Sequence, residues 1–109
     1  MMDESRYQKL ADAAFGAIEG MLEDVDPDVV DFERAGDVLT LSFENGKRAV
    51  VNTQRPTRQI WLAADARAWH FSFDEANGTW VDDKGQGIEL MAQVAAIVKQ
   101  QSGLDVAAK

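Results

Sequence analysis

The chain has 109 residues, no cysteine and one histidine, His70, which is the scale of a single domain and excludes disulfides, thiolate ligation, cysteine nucleophiles and a multi-histidine metal centre within one chain. Its 19 acidic residues stand against 11 basic ones, for a formal net charge of −8 and a pI near 4.4, which disfavours nucleic acid and anionic membranes as partners. The longest apolar runs, Ile60 to Ala64 and Val94 to Val98, fall far short of the roughly 20 residues of a membrane span, and the acidic start Met1-Met2-Asp3-Glu4 does not read as a signal peptide, so a soluble cytoplasmic protein is expected.

Residues 5–25 read as an amphipathic helix, with Tyr7, Leu10, Ala11, Ala14, Ile18, Met21, Leu22 and Val25 recurring at helical steps. On its polar side Asp12, Glu19, Glu23 and Asp26 fall within one sector at about 100° per residue. Glu19 and Glu23 are like charges one turn apart, and Asp24, Asp26 and Asp28 crowd a helix end whose dipole prefers cations. Stability alone would not choose these residues, which makes them functional candidates. Residues 1–33 hold ten acids and two bases, the whole net charge, while residues 34–109 balance nine against nine. A purely solubilising charge is the plain alternative.

From Val29 to Val81 the period becomes two. Val30 and Phe32 alternate with Asp31 and Glu33, and Arg34-Ala35-Gly36-Asp37 reads as a turn. Leu39, Leu41 and Phe43 alternate with Thr40 and Ser42, and Asn45-Gly46 is a hairpin signal of the I′ type. Strands follow at about Arg48 to Asn52, Gln59 to Ala63, Trp69 to Phe73 and Thr79 to Val81, separated by the Pro56 segment, Asp65-Ala66-Arg67 and Asn77-Gly78. Residues 86–102 return to helical period and stop at Ser102-Gly103, with no good Ser, Thr or Asp cap at the start. Residues 104–109 are expected to fray.

The fold class expected is α+β. Two helices pack on one face of an antiparallel sheet of about six strands, in a two-layer sandwich forming one domain over residues 1–109. If Ile60 and Leu62 are buried, Trp61 points outward, and the parity of neighbouring strands sends His70, Ser72, Asn52, Thr40 and Ser42 with it. An outward tryptophan is an anchor for a protein partner. The opposite register buries Trp61 with its indole N–H satisfied, and alternation alone leaves both open.

No Ser-His-Asp arrangement is defensible with one histidine in a strand, and Gly85-Gln86-Gly87 lacks the P-loop spacing and lysine. Helical carboxylates one turn apart, extended by Asp26, offer hard oxygen donors for Fe²⁺, Fe³⁺, Mn²⁺, Ca²⁺ or Mg²⁺ without discriminating among them. Either an open, shallow, weak site or a diffuse counterion atmosphere fits that pattern. His70 reads as a surface or interface residue before it reads as a ligand.

The stretch Val51-Asn52-Thr53-Gln54-Arg55-Pro56-Thr57-Arg58-Gln59-Ile60-Trp61-Leu62-Ala63 closely resembles the N-x-Q-x-P-x-x-Q-[IV]-W-L signature of the frataxins, and Trp69-His70-Phe71 is similar to an element of the bacterial members. The resemblance spans about residues 5–102 and implies an α-sheet-α sandwich. It also implies that Trp61 is the exposed tryptophan presented to the iron–sulfur scaffold protein, with Asn52, Gln54 and Gln59 around it and His70 beside it. It implies an acidic ridge of Glu4, Asp12, Glu19, Glu23, Asp24, Asp26, Asp28, Asp31 and Glu33 that binds iron weakly and meets a basic surface of cysteine desulfurase. Glu19, Glu23, Asp24, Asp26, Asp12, Asp31 and Glu33 are the candidate metal ligands, and Glu4 and Asp28 join the partner-binding set. Gly20 departs from relatives that carry a second acid after Glu19, and the loop around Pro27 is shorter than in some members. The function expected is an iron-binding, non-enzymatic regulator of iron–sulfur cluster assembly that delivers or senses iron, with a weak ferroxidase activity left open. Other divalent cations are expected to substitute for iron, and a monomer is expected, with a metal-dependent oligomer as the variant. Two alternatives are an iron-storage or ferroxidase-like protein that oligomerises with metal, and an acidic mimic that blocks a nucleic-acid-binding protein.

Overall fold

In a computed structural model, described for residues 2–109, the elements run α1 (Glu4–Leu22), β1 (Val30–Ala35), β2 (Val38–Phe43), β3 (Arg48–Gln54), β4 (Gln59–Ala64), β5 (Arg67–Asp74), β6 (Thr79–Asp82) and α2 (Leu90–Ser102). The six strands form one sheet in the order β1-β2-β3-β4-β5-β6, each antiparallel to the next. This is the expected α+β arrangement. Tight hairpins leave the chain no other way to make a sheet from consecutive strands.

One core fills the space between the helices and one face of the sheet. α1 contributes Tyr7, Ala11, Ala14, Phe15, Ile18, Met21 and Leu22, and α2 contributes Leu90, Val94, Ile97 and Val98. The inner sheet face supplies Leu39, Leu41, Val51, Ile60, Leu62, Trp69, Phe71 and Trp80 among others. Burying Ile60 and Leu62 fixes the register of β4, because a slip of one residue would exchange them for Trp61.

Both helices are shorter than their patterns predict. α1 ends at Leu22 with Glu23 as its cap, so Asp24 and Asp26 lie beyond the helix and the phase argument that grouped Asp26 with Asp12 does not apply. No basic side chain stands in its last turn, and Asp26 starts a new turn by accepting the Val29 and Val30 N–H groups on its carbonyl. α2 begins at Leu90, not 86. Glu89 is its cap, its carboxylate accepting from the Met91 and Ala92 N–H groups. Asp82 organises the segment before it by accepting from the backbone N–H of Lys84, Gln86 and Ile88. Partial burial pushes the Asp82 carboxyl up, but these bonds together hold it below the usual aspartate range.

The turns redistribute the expected types. Strand β1 runs through Ala35, so the first hairpin loop is only Gly36-Asp37, with Gly36 at φ 59 in the manner of a II′ turn. At Asn45-Gly46 only Gly46 has positive φ, at 86, and Phe43 N–H bonds the Lys47 carbonyl across a three-residue loop. That is the type I turn with a left-handed residue, not I′. The I′ signature appears instead at Asp65 and Ala66, with φ of 53 and 64, between paired Ala64 and Arg67. Ala66 has no side-chain hydrogen bond to offset its left-handed backbone. Ala66→Gly is expected to raise stability by about 1 kcal/mol and the thermal midpoint by about 5 °C, read from thermal and urea unfolding.

Residues 104–109, expected to fray, carry no regular secondary structure. Leu104 and Val106 nevertheless pack against the core, and the Lys99 ammonium reaches both the Gly103 carbonyl and the Asp105 carboxylate.

Candidate functional site

The outer sheet face follows from the register. Asn52 pairs with Trp61 and Trp61 with His70, so these side chains stand in one row across β3, β4 and β5. Gln54, Gln59 and Ser72 form the next row. Trp61 is half-buried by its neighbours on this face, not by the core. Its ring stacks on His70 at 4.2 Å between centroids and 16° between planes. Its indole N–H donates to Gln59 Oε1 at 3.0 Å.

Gln59 is the hub of this face. Its Nε2 donates to Ser72 Oγ at 3.1 Å and to Asp83 Oδ2 at 3.0 Å. Asp83 Oδ2 also lies 3.7 Å from His70 Nδ1, and the Asp83 N–H donates to the His70 carbonyl. The result is an aromatic pair held flat, with the indole N–H already engaged. What Trp61 offers a partner is ring surface, not a hydrogen bond. Asn52 turns its amide onto the Thr53 carbonyl at 3.3 Å. On the other side of the Trp61 row, Thr40, Val50, Ala63 and Ala68 form a row across β2 to β5, and Val38, 37% exposed, extends the Asn52–Trp61 row onto β2.

The acids expected to form one ridge are divided by the fold. Asp31 and Glu33 alternate with the inward residues Val30 and Phe32, so they project on the outer face, opposite Ser42 and Thr40, and line a shallow hollow of about 250 Å³ with Val38 and Arg48. Asp12 and Glu19 lie in the helix layer. Arg34 of β1 reaches across to both, at 2.7 Å to Asp12 and 3.5 Å to Glu19, with its guanidinium 5.0 Å from the centre of the Phe15 ring. Glu23 and Asp24 receive the Lys109 ammonium at 2.8 and 2.6 Å. The bonds to Asp24 and Glu23 hold that ammonium above its usual range. Asp26 and Asp28 sit in the α1–β1 loop, where the Asp26 carboxylate accepts the Asp28 N–H. Glu4 is in the first turn of α1, roughly 28 Å along the helix axis from Glu23 at about 1.5 Å per residue, and does not join the rest.

Among the described residues, no three of His, Asp and Glu converge on one point as metal ligands would. The carboxylates are hard oxygen donors on an exposed surface, which fits a cation held loosely and still hydrated. Sequence patterns missed four participants: Arg34, Lys109, Asp83 and Tyr7. Arg34 lies in β1, Asp83 just after β6 and Lys109 in the C-terminal tail, and no spacing rule couples an acid to a basic residue 22 or 86 positions away. Tyr7 looked like an ordinary core residue of the α1 stripe.

The match to a family model described as "Frataxin-like domain" covers residues 1–104. The chain is 43% identical over 102 residues to the iron-sulfur cluster assembly protein CyaY of Paraburkholderia phymatum, covering 94% of this chain and 93% of the other. It is 41% identical over 105 residues to the iron-sulfur cluster assembly protein CyaY of Pseudomonas aeruginosa, covering 96% and 95%. The structure superposes on frataxin from Psychromonas ingrahamii with a TM-score of 0.88 at 34% identity, over 97% of both chains. It superposes on trimeric frataxin from Saccharomyces cerevisiae, complexed with ferrous, with a TM-score of 0.67 at 28% identity, over 95% of this chain and 89% of that one. No helix among the described residues is long and apolar enough to cross a membrane. The sandwich, the Asn52–Trp61–His70 row and these near full-length matches converge, and the chain belongs to the frataxin family.

Proposed function

We propose that this chain is a cytoplasmic, non-enzymatic regulator of iron–sulfur cluster assembly. In this reading the acidic side built on α1 and β1 docks on a basic surface of cysteine desulfurase, and the Trp61 face approaches the scaffold protein. The pathway comes from the names of the bacterial relatives. The mode of action rests on one observation: a tryptophan held flat on His70, outside the core, with its N–H tied to Gln59. A rigid, half-buried aromatic outside the core is how protein interfaces place an anchor. Iron is cargo here, delivered or sensed. Fe²⁺ held loosely at either group of acids, Asp12, Glu19, Glu23, Asp24 and Asp26 beside α1 or Asp31 and Glu33 on the outer sheet face, would neutralise part of the field that steers docking, and other divalent cations would do the same.

Binding of purified desulfurase, measured at low and moderate salt with and without Fe²⁺, tests the reading. Association that weakens with salt and with Fe²⁺ supports it. Salt-independent binding, or none, removes the electrostatic docking.

A second reading is a metal-driven oligomer that stores iron. It is favoured by the likeness to a trimeric frataxin complexed with ferrous. Particle mass measured during Fe²⁺ titration separates the two, since the regulator stays monomeric at the cation concentrations that weaken docking.

A further inference from the structure

We infer that Tyr7, a core residue of α1, is a positioning residue for the Trp61 face, acting through the β3–β4 loop. The ring of Tyr7 is fully buried, and burial pushes its phenol above the usual tyrosine range. Its hydroxyl sits where β3 ends and β4 begins. It accepts the Gln54 N–H at 3.1 Å and donates to the Gln59 carbonyl at 2.6 Å. Gln54 and Gln59 are partners in the ladder, so one hydroxyl joins the two residues that close the loop.

The loop between them needs such a clasp. It carries Pro56, which gives no N–H, and Arg58 at φ 55, a backbone conformation that side-chain-bearing residues rarely adopt. Arg58 folds its guanidinium back onto the Arg55 carbonyl and over the Tyr7 ring at 5.8 Å. Edge-to-face contact with Trp80, at 6.1 Å and 73°, fixes the Tyr7 ring from the other side.

Gln59 then carries the constraint through the sheet. Its carbonyl is held on the core side by Tyr7, while its side-chain amide holds Trp61, Ser72 and Asp83 on the outer side. Removing the Tyr7 hydroxyl leaves the Gln54 N–H and the Gln59 carbonyl without that partner and frees the loop to move. The amide that pins the indole moves with it, and the Trp61–His70 pair loses its fixed orientation.

The proposal rests on the docking reading only for its effect on a partner, so the test has two arms. Tyr7→Phe is compared with Ile18→Val, a change of a fully buried core residue in the same helix eleven positions further along. Hydrogen exchange of the Trp61 indole N–H is followed by NMR in the free protein, and affinity for purified scaffold protein by titration. Tyr7→Phe is expected to speed indole exchange about tenfold and weaken scaffold binding about fivefold, leaving desulfurase binding unchanged, while Ile18→Val moves none of these. Equal effects from the two variants, or an unchanged indole in Tyr7→Phe, overturn the proposal. If Trp61→Ala binds scaffold like the wild type, the docking reading fails, and indole exchange alone decides the clasp.

Discussion

Trp61→Ala is expected to weaken binding to the scaffold protein by at least about thirtyfold, the loss of roughly 2 kcal/mol that accompanies truncation of a central aromatic anchor. Trp61→Phe is expected to keep most of the affinity, within about fivefold. The distinction comes from the hydrogen bond inside the face. The indole N–H is already given to Gln59, so a partner gains ring contact from Trp61 and no donor. Phenylalanine retains an aromatic surface over His70 and loses only the internal bond. Both variants should fold, because Trp61 lies outside the core that holds the sheet to the helices. Titration calorimetry beside far-ultraviolet circular dichroism reads both quantities. Wild-type affinity in Trp61→Ala would remove the anchor from the account, and a phenylalanine variant as weak as the alanine one would mean the partner competes for the indole N–H.

The second large effect concerns how the acids act. Two sets of four can be neutralised to their amides. Asp26, Asp28, Asp31 and Glu33 have no ion pair among the described residues, whereas Asp12, Glu19, Glu23 and Asp24 are held by Arg34 and Lys109. At long range a partner responds to total charge, and each set removes the same four units. Both variants should therefore slow association with desulfurase by about tenfold or more at low ionic strength, with the difference fading as salt rises. At contact the sets differ. The first four can meet a partner's cations directly, while the second four must first release their own. Dissociation should accelerate mainly in the Asp26, Asp28, Asp31 and Glu33 variant, as surface plasmon resonance at several salt concentrations would show. Association rates indifferent to both sets would end the steering argument.

Much of the fold was readable because one physical rule governs it. Period-two runs between tight turns make a meander, and two apolar helical stripes must cover one of its faces. The orientation of Trp61 was not fixed by alternation, since a strand with Ile60, Trp61 and Leu62 is apolar on both sides. The choice follows from packing. Two aliphatic side chains from β4 fit the core beside Leu39, Val51 and Phe71, all fully buried. Helix ends were overrun because hydrophobic periodicity continues past the last helical bond: Val25 and Ile88 pack against the core from outside their helices. The acidic residues were all visible, but their partition was not. Asp31 and Glu33 face away from Asp12 and Glu19 because a strand alternates while a helix does not, and the Arg34 link is a contact between layers that no local pattern encodes.

The sheet is open, and its two rims are finished differently. β6 is only four residues long, and its free side is partly taken by the segment before α2, through the Val81–Glu89 bridge and the Asp82 N–H on the Ile88 carbonyl. β1 lies at the other margin of the sheet with six residues, and Asp31 and Glu33 are exposed along it. Exposed margins of this kind invite a strand from another molecule, and charge is a common guard against it. If two copies joined antiparallel along β1, the acids of both would be brought close together and repel. On the docking reading, the carboxylates that would meet a basic partner thus also oppose pairing of like chains along β1. On the storage reading, a multivalent cation would have to bridge this repulsive seam. On the storage reading, self-association along β1 would rise with cation concentration; on the regulator reading the seam stays repulsive.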